Sequence, residues 1–101
     1  MSSEPTRAEI DILAGATMLE FGATWCGYCK AAQPIIASAL INYSDVIHIK
    51  IEDGKDKRLG RSYIVKLWPT LIFLKNGVEI ARIVRPTESA EISEALESLR
   101  I

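Results

Sequence analysis

The only two cysteines of the chain, Cys26 and Cys29, lie in "WCGYCK" with two residues between them. They stand at a junction. "ATMLEFG", residues 16–22, reads as a strand, and the apolar spacing from residue 27 onward is helical. A cysteine pair in that place admits three chemistries. Zinc needs four ligands, usually two such pairs or one pair with histidines. This chain has one pair and one histidine, His48, so a site within one chain falls short and only a site shared between two chains stays open. His48 itself reads as a strand-face residue. A structural staple across so short a loop removes little entropy from the unfolded chain. The third chemistry is thiol–disulfide exchange. At a helix N-terminus Cys26 meets unpaired N–H groups and the positive end of the macrodipole, and both favour a thiolate. Cys29, one turn further in, is expected to be the more buried and to attack a mixed disulfide on Cys26. That chemistry needs no cofactor and no metal.

Composition narrows the setting. The 101 residues suit one domain, 1–101, with 49% apolar and 25% charged residues. A net charge of −1 gives no electrostatic footprint for nucleic acid or an anionic membrane. No apolar run approaches the ~20 residues that span a bilayer. "MSSEPTRAEID" is polar and lacks the apolar region of a signal peptide. A cytoplasmic, reducing location is therefore expected, where a lone cysteine pair is catalytic or metal-binding rather than structural.

Along the chain, "TRAE" at Thr6 to Glu9 reads as a capping box that starts a short helix ending before Gly15. Residues 27–43 form a long helix with Ile35, Ile36, Ala39, Leu40 and Tyr43 on its apolar side, kinked at Pro34. "VIHIKI", 46–51, alternates as a strand, and 56–65 is weakly helical. "TLIFL", 70–74, reads as a buried strand, and Asn76-Gly77 turns it into "VEIARIV", 78–84. Ile92, Leu96 and Leu99 give 88–100 an amphipathic helical face. The order α-β-α-β-α-β-β-α predicts an α/β fold. Its sheet is mixed, with one parallel crossover, one antiparallel hairpin and helices over its faces.

With the motif on a strand-to-helix turn, the chain resembles the thioredoxin family. The likeness covers about residues 16–100. Glu20, six residues before Cys26, stands where that family carries a buried aspartate. Pro34 matches its helix-kinking proline, and Lys50 the lysine paired with the buried acid. "WPT", 68–70, matches its cis-proline motif, and "FLKNG", 73–77, its hairpin. The resemblance implies a four-stranded sheet in the order 2-1-3-4, because the N-terminus is too short for the family's first strand. Five residues depart from the family pattern. Tyr28 replaces a proline between the cysteines, Glu20 an aspartate, Gly22 an aromatic, Trp68 a smaller aliphatic, and Arg85 a glycine lining the substrate groove.

The resemblance also assigns roles. Cys26 is the nucleophile and Cys29 the resolving thiol. Glu20, buried behind Cys29 with a raised pKa, relays its proton, and Lys50 tunes that shift. On alternation alone, Glu20 and Lys50 also read as exposed strand residues. Trp25 shields the site. Pro69, cis, shapes a groove with Trp25, Gly27, Tyr28, Trp68, Thr70 and Arg85, where a substrate docks as an added strand. Trp68 reads equally as a binding surface or as core replacing volume lost at Gly22. Tyr28 supplies a helix N–H that proline lacks, close to Cys26.

The leading functional reading is a monomeric, cytoplasmic thiol–disulfide oxidoreductase that reduces protein disulfides, with a thioredoxin reductase as electron donor. A second is a disulfide oxidant or isomerase, because "CGYC" resembles the active site of periplasmic isomerases. A third is a binding or assembly module with little redox turnover. Glutaredoxins fit less well, since this chain has "WPT" and "RPTES" in place of their "TVP" and Gly-Gly.

Overall fold

The computed structural model describes residues 4–100. Its centre is β1 (Ala16–Gly22), where every side chain from Thr17 to Phe21 is buried. A strand with both faces covered must pair on both edges. β1 pairs in parallel with β2 (Ile47–Glu52) and antiparallel with β3 (Thr70–Lys75). β3 forms an antiparallel hairpin with β4 (Val78–Val84), giving the order β2-β1-β3-β4. The sheet order is the expected one, and among the described residues no strand precedes β1.

Alternation along β1 divides the core. Met18 joins Leu71 and Phe73 beneath α2 (Gly27–Leu40) and α4 (Ser89–Ser98), which contribute Ala32, Ile36, Ile92 and Leu96. Leu19 and Phe21 point the other way. There they meet Ile10 of α1 (Arg7–Asp11) and Leu59 of α3 (Arg58–Ser62). Each fully buried Leu, Ile or Phe contributes about 1.5–3 kcal/mol through removal from water, so both faces are strongly specified. A one-residue slip of β1 would exchange them. Glu20 shares its face with Met18 and is thereby directed at α2, in the middle of an apolar layer. No helix among the described residues is long and apolar enough to cross a membrane.

The helix starts are set by local chemistry. Thr6 Oγ1 accepts the Glu9 N–H at 3.1 Å, and Glu9 Oε1 accepts the Thr6 N–H at 2.8 Å, which is the expected capping box. Pro34 lies inside α2. The last turn of α3 closes with the Ile64 N–H on the Arg61 carbonyl and the Val65 N–H on the Gly60 carbonyl. That arrangement puts Ile64 in the left-handed region, at φ 56°.

Candidate active site

Cys26 is the N-cap of α2, and its cap group is its own sulfur. Cys26 Sγ accepts the Cys29 N–H at 3.2 Å. Both cysteines are free thiols. Both are also buried, at 6% and 7% relative exposure, so the expected contrast between an exposed Cys26 and a buried Cys29 is corrected. Trp68 is the reason. It packs on the small cluster of Ala23, Cys26 and Cys29. Trp25, expected to shield the site, is instead 72% exposed and meets Trp68 edge-on with ring centroids 5.4 Å apart.

The two thiols differ in acidity rather than exposure. Burial pushes Cys26 upward, but the Cys29 thiol, the backbone N–H groups of Cys29 and Tyr28, and the charge of Arg85 outweigh it, so its pKa is lowered. The Tyr28 N–H that proline would lack is thus among the groups favouring a Cys26 thiolate. Cys29 is raised to about 11 by burial, by its hydrogen bond with Cys26, and by the charges of Cys26 and Glu20, with the Ala23 N–H opposing.

Behind Cys29 lies a polar network that the sequence foreshadowed only in part. Glu20 is 4% exposed. Its Oε1 is 2.7 Å from His48 Nε2, and its Oε2 accepts from Gln33 Nε2 at 2.8 Å. Gln33 Nε2 also donates to the Cys29 carbonyl at 3.0 Å, and Lys50 Nζ donates to Gln33 Oε1 at 3.0 Å. Glu20 was expected to have a raised pKa; it is lowered. Burial raises it, but the hydrogen bonds from His48 and Gln33 and the charges of Lys50 and His48 more than compensate. Lys50 acts on Glu20 by charge and through its hydrogen bond to Gln33. Gln33 was not among the expected site residues, and His48 was expected only on a strand face. The signal available was register. His48 and Lys50 both lie on the β2 side that flanks Glu20, and Lys50 is directly paired with it. A cavity of about 360 Å³ opens onto Glu20, Cys29, Gln33 and Lys50.

Gly22 explains how Cys29 fits. A Cβ at Gly22 would lie 2.7 Å from Cys29 Sγ, so the sulfur fills the space an aromatic would take. Trp68 therefore does not replace that volume. It is half-buried, and its Nε1 donates to Asp53 Oδ2 at 2.9 Å. The Trp68–Pro69 bond is cis. Pro69 and Thr70 are buried, and the Thr70 hydroxyl turns back to the Leu67 carbonyl at 2.6 Å. The Thr70 side chain is therefore not on the open groove. Gly27 and Tyr28 are exposed on the first turn of α2. Arg85 is half-buried across from them. Among the described residues no group of three or more His, Cys, Asp or Glu side chains is placed to hold a metal ion.

The thioredoxin family model matches residues 5–98. The chain belongs to the thioredoxin family. Thioredoxin-2 of Saccharomyces cerevisiae is 36% identical over 81 residues, which is 80% of this chain and 77% of the yeast protein. Thioredoxin H5 of rice is 30% identical over 94 residues, 93% of this chain and 69% of the rice protein. Thioredoxin 2 from Pseudomonas aeruginosa, solved in its reduced form, is 52% identical with a TM-score of 0.87, and the match covers 98% of this chain and 92% of that one. With Cys26 and Cys29 in the thioredoxin position, the chain is a thiol–disulfide oxidoreductase that acts on protein disulfides through a dithiol.

Proposed function

We propose that Cys26 attacks, Cys29 resolves, and the Glu20 network handles the proton, in the direction of substrate reduction. The observation that carries this reading is the opposite displacement of two equally buried thiols, with Cys26 Sγ on the N-terminal N–H of α2. A docked disulfide R–S–S–R′ is attacked by the Cys26 thiolate. A Cys26–S–S–R bond forms, and R′–S⁻ leaves and takes a proton. Two of the influences that raise Cys29 come from Cys26 itself, its hydrogen bond and its charge. Forming the mixed disulfide removes that charge, so Cys29 becomes more acidic at the moment it is needed. Its proton leaves through the cavity, where the ionised Glu20 carboxylate, acidified by His48 and Gln33, hands it on to water rather than holding it. The Cys29 thiolate then attacks Cys26 Sγ, closing the Cys26–Cys29 disulfide and releasing R–S⁻, which is protonated. The substrate gains two electrons and two protons.

The groove runs over Trp68 and the cis Pro69, and a substrate segment docks there as an added strand on the Trp68 backbone. A thioredoxin reductase is the natural donor for the return to the dithiol. We place the protein, as a monomer, in the cytoplasm, a reducing compartment in which a lone cysteine pair can work as a dithiol. Reduction of insulin disulfides in the presence of dithiothreitol tests the activity, and recycling by thioredoxin reductase with NADPH tests the donor. Cys29→Ser should accumulate mixed disulfides with its substrates and Cys26→Ser should not. The reverse pattern would exchange the two roles.

A further inference from the structure

Tyr28 and Arg85 flank the thiol pair, and beyond the pull of the Arg85 charge on the Cys26 thiolate no step of the exchange above uses their side chains. Arg85 holds a backbone conformation that glycine ordinarily takes, at φ 53°. Its N–H donates to the Pro69 carbonyl at 2.9 Å. Its side chain turns back over the groove. Nε donates to the Trp68 carbonyl at 2.8 Å, and the guanidinium lies 3.8 Å over the Tyr28 ring. Those two contacts fix the plane of the guanidinium. The Nη groups have no acceptor among the described residues, so the outer edge of the fork is free. Beside it is a hollow of about 320 Å³ lined by Tyr28, Ala31, Ala32, Ile35, Arg85 and Pro86. Tyr28 is 61% exposed on its rim.

We propose that Arg85 is a specificity-determining residue that selects protein disulfides carrying an aspartate or glutamate next to the attacked cysteine. The inference rests on the groove reading given under Proposed function, in which a substrate strand uses the Trp68 backbone. The Trp68 carbonyl that such a strand needs is occupied by Arg85 Nε. A docked strand competes with that bond or takes the second lone pair of the same carbonyl. A carboxylate on the substrate offers the guanidinium a planar, two-point, charge-assisted replacement. A neutral substrate leaves the fork to water, and a basic one is repelled by it. A Cys26 thiolate alone would disfavour an acidic substrate, so a preference for one requires a cation at this place. Tyr28 keeps the fork flat and aimed outward. The two departures from the family pattern that face each other across the groove thus act as one unit.

The test uses the full chain, pre-reduced, in single turnovers against three disulfide peptides. The peptides are identical except for Asp, Asn or Lys beside the attacked cysteine. The rate constants are expected to rank Asp above Asn above Lys, with roughly three- to ten-fold between the extremes. The spread should shrink as ionic strength rises, because the fork is half-exposed. Arg85→Gly, which suits the backbone at this position, should bring the three rates to within about two-fold while all three peptides are still reduced. Arg85→Glu should invert the order, and Arg85→Lys should keep the order with a smaller spread. Equal rates in the unaltered protein would overturn the proposal, and so would an unchanged ranking in Arg85→Gly. Failure to reduce any of the three peptides would overturn the oxidoreductase reading itself, and the selectivity with it.

Discussion

One atom, Cys26 Sγ, caps a helix and, in the function proposed above, attacks a disulfide. The double use gives the usual control variants different costs. Cys26→Ser keeps an acceptor for the Cys29 N–H, whereas Cys26→Ala leaves that donor open. Both should lack activity, but the alanine variant should be less stable by about 1 kcal/mol in urea unfolding. The acidity difference is also measurable. Alkylation of the reduced protein by iodoacetamide should begin at Cys26, with a midpoint below the ordinary cysteine value of ~8.5. In the dithiol Cys29 stays protonated until far higher pH, toward about 11, and it should become more acidic once Cys26 is alkylated, because the Cys26 charge is then gone. Tyr28→Pro removes one N–H from the groups that favour the Cys26 thiolate. The Cys26 pKa should rise. Because the reduced form then loses stabilisation, the reduction potential in a glutathione titration should become more negative by roughly 10–30 mV. For Glu20 the sign runs the other way. Its folded-state pKa lies below the ordinary value, so its ionisation stabilises the fold at neutral pH. That contribution is lost as pH falls through the folded value. Following the side-chain carboxyl carbon by NMR should give a midpoint below ~4.3, and His48→Ala should move it upward.

At the scale of elements, two loop positions carry opposite demands. Ile64 ends α3 in the left-handed region while 69% exposed. A β-branched residue there costs about 1–2 kcal/mol, which glycine avoids at some expense in unfolded-chain entropy. Ile64→Gly should therefore raise stability by about 0.5–1 kcal/mol, read as a rise of a few degrees in melting temperature. Gly22 is the converse. Gly22→Ala drives a Cβ toward Cys29 Sγ and should destabilise by about 1–3 kcal/mol. It should also slow resolution of the mixed disulfide more than its formation, seen as a longer-lived intermediate with substrate. Neither demand was legible in the sequence: that at Gly22 depends on Cys29 standing across the gap, and that at Ile64 on a left-handed helix end which no glycine marks. The Thr6–Glu9 capping box and the Asn76-Gly77 hairpin were legible, because their hydrogen bonds close within a few residues. The direction of the Glu20 pKa was not. Burial could be inferred from "MLEF", but the compensating donors come from α2 and β2, 13 and 28 residues away.

Across the whole molecule, the sheet order followed from the family likeness, and connection lengths gave the parallel crossover and the antiparallel hairpin. The same order has a consequence in time. Among the described residues β1 is the first strand, yet it lies at the centre of the sheet, and its antiparallel partner begins at Thr70. The β3–β4 hairpin is local, whereas β1 must wait for a pairing that closes a long stretch of chain. During synthesis, at about 5–20 residues per second, Cys26 and Cys29 therefore leave the ribosome seconds before Trp68 and Pro69. Over that interval the nascent chain carries two thiols with no indole packed over them and no sheet to hold Glu20 behind them. The thiol pair is thus made before its cover, and a newly made chain meets oxidants as an ordinary peptide dithiol until β3 arrives.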